Sequence, residues 1–150
     1  MARLYLVDTN VVVSGVIGPD AQSPPVLIVD AMLEGRLAFV ISAELLGEYR
    51  RALTRSSIAK RHGWPPSKVD ALLAQLTMAA YLRRPPDDDA PDTDDPPPES
   101  PPGDAHIIRL LAHEPRAALV SGDQVLLDAV RDWREVIMPA DLVAREIMPS

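Results

Sequence analysis

The 150 residues contain no cysteine and only three histidines, widely scattered. Without thiols the chain has no disulfide, no cysteine nucleophile and no Cys-ligated zinc, and separated histidines leave little for a histidine-based metal centre. Any metal would therefore be held by carboxylates. Also missing is an apolar run near the ~20 residues that a membrane helix requires. The opening MARLYLVDTN turns polar after Val7, too soon for a secretory signal, so the sequence reads as cytoplasmic. No internal repeat is visible. At 47% hydrophobic and 25% charged residues, the composition is that of a soluble globular chain long enough for one core.

The net charge of -7 argues against a nucleic-acid partner until the charge is located. Residues 85–103, PPDDDAPDTDDPPPESPPG, hold 8 of the 16 prolines and seven acids, Asp87, Asp88, Asp89, Asp92, Asp94, Asp95 and Glu99, and the remainder is neutral. Self-repelling charge, abundant proline and no large apolar side chain predict a solvated loop, disordered or extended. The segment before it is basic: Arg50, Arg51, Arg55, Lys60, Arg61, Lys68, Arg83 and Arg84 stand against the single acid Asp70. These cations are either solvated helix faces or a surface that tracks a phosphate backbone.

Leu4–Val7 is a short apolar run ended by Asp8-Thr9-Asn10, as in a buried strand leaving its sheet at a polar turn. A short helix over Val11–Val16, a helix from Pro24-Pro25 stopped at Gly35, and a strand over Leu37–Ile41 follow. Ser42 is placed to cap a helix from about Ala43 to Arg55, and Pro65-Pro66-Ser67 opens another that runs toward the acidic loop. Beyond the loop come helix 104–113, strand 117–121, helix 124–132, strand 135–138 and a last helix from Ala140. This alternation predicts a layered α/β fold around a mostly parallel sheet.

Four carboxylates occupy positions where carboxylates are unfavourable. Asp8 and Asp123 each follow an apolar strand, at the carboxyl ends where open α/β sheets bind ligands, although either alone could be only a helix cap. Glu48 lies on the apolar stripe of its helix with Leu45, Tyr49, Ala52 and Leu53. Asp104 lies on the arc of Ile107, Ile108 and Leu111, and it too could be a cap. Glu44, in the first helical turn, opposes the helix dipole and stays outside the site. Inward-facing carboxylates need cations, donors or a metal. With no lysine or arginine expected to pair with these four, an oxygen-ligand site for Mg²⁺ or Mn²⁺ is the reading. His106 and His113 read as surface residues.

The blocks LYLVDTNVVVSG, ISAELLGEYRRAL, GDAHIIRLLA and ALVSGDQVLL, in that order, resemble the PIN domain, in the branch of VapC-like toxins of toxin–antitoxin pairs. The resemblance spans nearly all the chain outside the acidic loop. It implies a three-layer α/β fold with a central, mostly parallel sheet flanked by helices, forming one domain over residues 1–150 with 85–103 as an acidic, Pro-rich loop. It also implies a metal-dependent endoribonuclease in which Asp8, Glu48, Asp104 and Asp123 hold Mg²⁺ or Mn²⁺ and carry catalysis, with Thr9, Asn10 and Ser121 orienting them. Arg50, Arg51, Arg55, Lys60, Arg61 and Lys68 would bind the RNA. An antitoxin protein and a second copy of the chain are the implied partners. Val125 stands where many relatives carry a further acid. A catalytically inert PIN-like interaction module is the main alternative. An Asp-based phosphotransfer protein is more remote, because Asp8 lacks the paired acid such sites use and no lysine follows Lys68.

Overall fold

A computed structural model describes residues 3–84 and 96–148 of the chain. The expectation for 85–95 therefore lies outside the described residues. Its continuation, 96–103, has no regular secondary structure, but Pro98, Ser100 and Pro101 are half-buried, so this stretch rests on the protein rather than standing free in solvent.

The architecture is the α/β arrangement that the alternation implies. The two four-residue strands, β1 (Leu4–Val7) and β4 (Ala117–Val120), are unbroken apolar runs, as strands covered on both faces must be. They pair in parallel from Leu4↔Ala117 to Val7↔Val120, and β4 pairs in parallel with β5 (Val136–Ile137). On the other side of β1, Tyr5 bridges to Phe39, its N–H donating to the Ala38 carbonyl at 3.0 Å. Through that bridge follows a second parallel pair, β2 (Val40–Ile41) with β3 (Tyr81–Leu82). The strand expected over Leu37–Ile41 is thus shorter, because only Val40 and Ile41 ladder with β3 while Phe39 makes a single bridge to β1.

Helices α1 (Thr9–Ile17), α2 (Pro24–Leu33), α3 (Ala43–Thr54), α4 (Ser56–His62), α5 (Pro66–Ala79), α6 (Ala105–His113), α7 (Gln124–Val130) and α8 (Pro139–Leu142) complete the described fold; α8 continues as a π-helical turn, Val143–Ile147. Valines 11 to 13 disfavour a helix locally, yet all three are buried, and packing overrides propensity. At Gly15 an added Cβ would lie 2.4 Å from Val29 Cγ2 and 2.6 Å from the Pro25 carbonyl, so the glycine lets α1 and α2 approach closely. Ser42 caps α3 as its sequence position suggests, its hydroxyl accepting from the Leu45 N–H at 3.1 Å. Two elements have no counterpart in the sequence reading. Helix α4 buries none of its residues, and β3 is an exposed edge.

The core gathers Tyr5, Leu6, Val7, Phe39, Ile41, Leu45, Tyr49, Leu53, Leu119 and Val120, all fully buried. Within it the Tyr49 hydroxyl donates to the Val7 carbonyl. That bond ties α3, beside Glu48, to the last residue of β1, beside Asp8.

Candidate active site

The parallel register brings the carboxyl ends of β1 and β4 to one edge, and the site is built there. Asp8 is the cap of α1 and only 5% exposed. Its Oδ1 accepts the Thr9 N–H at 2.8 Å and its Oδ2 accepts the Ser121 hydroxyl at 2.8 Å. Ser121 Oγ in turn accepts the Asp123 N–H at 3.0 Å, so a hydrogen-bond chain crosses from β1 to the start of α7. Burial pushes the Asp8 pKa up; the Ser121 and Thr9 hydrogen bonds oppose that, and the Asp123 charge adds to it.

Asp123 caps α7, Oδ1 accepting the N–H groups of Val125 at 3.0 Å and Leu126 at 3.5 Å. The capping interpretation is therefore correct for this residue, but it occupies one oxygen and leaves Oδ2 without a partner among the described residues. Asp104 differs. It occupies the cap position of α6 yet makes no capping hydrogen bond, and Gly103 before it, at φ +85°, turns the chain into the helix through a conformation that favours glycine. Burial first, then the charges of Asp8, Asp123 and Glu48, push the Asp104 carboxyl up to about 6. That shift registers the other three carboxylates acting on Asp104.

These four line a single small cavity of about 110 Å³, together with Thr9, Asn10, Ala52, Arg55 and His106. The structure thus brings together every carboxylate singled out from the sequence, with Ser121 bonded just behind Asp8. Glu44 stays outside: it is exposed and ion-paired with Arg109.

Three sequence expectations need correction. Glu48 does have a basic partner, Arg51, whose Nη2 lies 2.9 Å from Oε2; three residues along a helix is the spacing at which side chains meet, and this pair is largely exposed. His106 and His113 are not surface residues. Both are half-buried, and His106 Nδ1 and His113 Nε2 are buried without a hydrogen-bond partner among the described residues. His106 lines the cavity because the first turn of α6 faces it, a placement that the apolar arc farther along the helix does not reveal. Burial lowers its pKa despite the nearby charges of Glu48, Glu44 and Asp8. The basic set also divides. Arg55 lines the cavity, and Lys60 and Arg61 are exposed on α4, which packs on α1 and α3. Arg50 instead pairs with Asp70 on α5 at 2.9 Å and lines a different groove, and Lys68 sits 4.4 Å over the Trp64 ring.

The donor set fits a hard divalent ion. It consists of carboxylate oxygens, among them the Asp104 carboxyl, and Thr9 Oγ1, which is buried; neither Asp104 nor Thr9 Oγ1 has a hydrogen-bond partner among the described residues. Among the described residues no three acidic or histidine side chains already close around one point, so an ion would have to draw the carboxylates inward.

The chain matches the PIN domain over residues 5–125, a stretch that includes Asp8, Glu48, Asp104 and Asp123, and it belongs to that family. PIN domains are nucleases as a class; they act on RNA and generally use divalent metal ions. No curated protein and no solved structure matches the chain. No helix among the described residues is long and apolar enough to cross a membrane.

Proposed function

We propose that the protein is a divalent-metal-dependent endoribonuclease in which Asp8, Glu48, Asp104 and Asp123 hold one or two Mg²⁺ or Mn²⁺ ions. The observation that carries this reading is the convergence of four carboxylates, each from a different part of the chain, on one small cavity, where burial and the other three acids push the Asp104 carboxyl up. Repulsion of that kind is relieved by a bound cation. A bound ion supplies Lewis acidity, neutralising charge on the phosphate and lowering the pKa of water at the site.

The chain's own groups do the rest. Ser121 and the Thr9 amide fix the rotamer of Asp8 and favour its charged form. Thr9 and Asn10 add neutral oxygens to the cavity wall, and Arg55 brings a cation to its rim, where it can hold a non-bridging phosphate oxygen. Lys60 and Arg61 on the adjoining α4 extend that positive surface along a backbone, with affinity that reads charge rather than sequence. Arg51 offers a further cation once Glu48 turns to a metal. Arg50 and Lys68 contribute through the general field, being engaged with Asp70 and Trp64.

The same resemblance supports a role as the toxin of a cytoplasmic toxin–antitoxin pair, acting as a homodimer and held in check by a small protein, with residues 1–150 as one domain. Incubating the full chain with single-stranded RNA should give cleavage that requires Mg²⁺ or Mn²⁺, stops in EDTA, and leaves 5′-phosphate and 3′-hydroxyl ends. Cleavage that persists in EDTA, or that leaves a cyclic phosphate, would rule the mechanism out.

A further inference from the structure

A cleft of about 1100 Å³ lies apart from the carboxylate cavity. It lies at the opposite, amino-terminal ends of β1 and β4, beside the edge strand β3, and its walls include Arg3, Tyr81, Leu82, Arg83 and Arg116. Small-molecule sites are typically ~300–1,000 Å³ and enclosed by apolar walls. This cleft is instead bounded by a sheet edge and walled in part by arginines, which suits a length of polypeptide.

Its charge is one-sided. The two acids that line it are already neutralised: Glu114 is ion-paired with Arg83, and Glu135 with Arg145 at 2.6 Å. Arg3 and Arg116 have no ion pair among the described residues. They precede Leu4 and Ala117, which are register partners, so the two arginines stand side by side at the starts of neighbouring parallel strands, and both line the cleft. Like charges so placed repel, and an anion between them would relieve the repulsion.

Beside these cations the backbone of β3 is open. The Tyr81 and Arg83 N–H groups donate inward to Phe39 and Ile41, both at 2.9 Å, so by strand alternation the Leu82 N–H and carbonyl face away from β2. Among the described residues β3 has no second neighbour. Its side chains are uncovered as well, Tyr81 being 62% and Leu82 59% exposed. Soluble proteins rarely leave an apolar edge open unless something covers it.

We infer that this cleft is a docking site for an extended acidic segment of a partner protein, which adds as a strand to β3 and places its carboxylates against Arg3 and Arg116. Main-chain hydrogen bonds to Leu82 supply affinity, Tyr81 and Leu82 receive alternate apolar side chains, and the arginines select acidic sequences. The site stands apart from the nuclease reading, because it shares no residue with the carboxylate cavity.

The test uses the full-length chain and a fluorescein-labelled peptide of six Glu-Val repeats, followed by anisotropy at low salt. Saturable binding is expected, with a Lys-Val peptide failing to bind. The double variant Arg3→Glu/Arg116→Glu should weaken binding by on the order of tenfold or more, as removal of paired charges at an interface does. Leu82→Pro should weaken it similarly by removing the outward N–H, which β2 does not use. Arg61→Glu, on the far surface, should change affinity less than about twofold, and the double variant should leave RNA cleavage within about twofold of wild type. Absence of saturable binding, or affinity indifferent to the double charge reversal in a folded protein, would overturn the proposal. So would an RNA oligonucleotide whose binding falls with that same reversal, which would assign the cleft to nucleic acid instead.

Discussion

An aspartate at a helix cap that declines to cap is a strained choice, and Asp104 is such a residue. Its folded pKa of about 6 lies above the ordinary carboxyl value of 3.8, so ionising it disfavours the folded, metal-free protein. That penalty is absent below about pH 4, develops between pH 4 and 6, and is complete above about 6. In EDTA at pH 7.5, Asp104→Asn should therefore melt a few degrees higher than wild type, and the gap should close near pH 4, as followed by circular dichroism. A lower melting temperature at pH 7.5 would mean that Asp104 stabilises the fold. The two glutamates of α3 separate in the same spirit. Glu48→Gln should reduce RNA cleavage ~100-fold or more with the fold intact. Glu44→Gln loses only an exposed ion pair with Arg109, worth roughly 0–1 kcal/mol, and should cleave at near the wild-type rate. Glu48 and Asp104 were legible because a carboxylate on an apolar arc contradicts its surroundings, and Asp8 and Asp123 because each follows an apolar strand. His106 and Arg51 were not, because a polar residue off that arc looks like any solvated one.

Strand ends and helix starts do the positioning. Asp8 leaves β1 at the point where Ser121 leaves β4, and the parallel register Val7↔Val120 makes their meeting unavoidable. Ser121→Ala should remove a hydrogen bond to a buried carboxylate, destabilising by about 1.5–3 kcal/mol in denaturant titrations above pH 7. It should also lower metal affinity and cleavage by ~10–100-fold. Tyr49 performs the matching task for Glu48, its hydroxyl anchoring α3 to the Val7 carbonyl. Tyr49→Phe leaves that buried carbonyl unpaired, and a stability loss of about 1–3 kcal/mol is expected; an unchanged midpoint would show the tie to be idle. The buried strands LYLV and AALV and the capped helices were readable from apolar runs and polar boundaries. Helix α4 and strand β3 were not, since α4 buries none of its residues and β3 is two exposed residues whose pairing is decided by β2, 41 positions away.

Over the whole molecule, charge is sorted rather than averaged. A chain of net charge -7 places Arg55 at its carboxylate cavity and Lys60 and Arg61 exposed on α4, which packs on α1 and α3, so RNA affinity should fall steeply as salt rises. Four acids around 110 Å³ should also make the protein responsive to cations. Millimolar Mg²⁺ or Mn²⁺ should raise the wild-type melting temperature, by mass action on the folded state. Asp8→Asn should blunt that shift, and an equal rise in both proteins would point to nonspecific screening. The central claim is that four carboxylates from four separate elements act as one metal-dependent catalytic unit. The most direct measurement is the single-turnover rate at which folded Asp104→Asn protein, in saturating Mn²⁺, cleaves an RNA that wild type cleaves. A loss of ~100-fold or more is the expected result; a rate within a few-fold of wild type would reduce Asp104 to a helix boundary and contradict the four-carboxylate site.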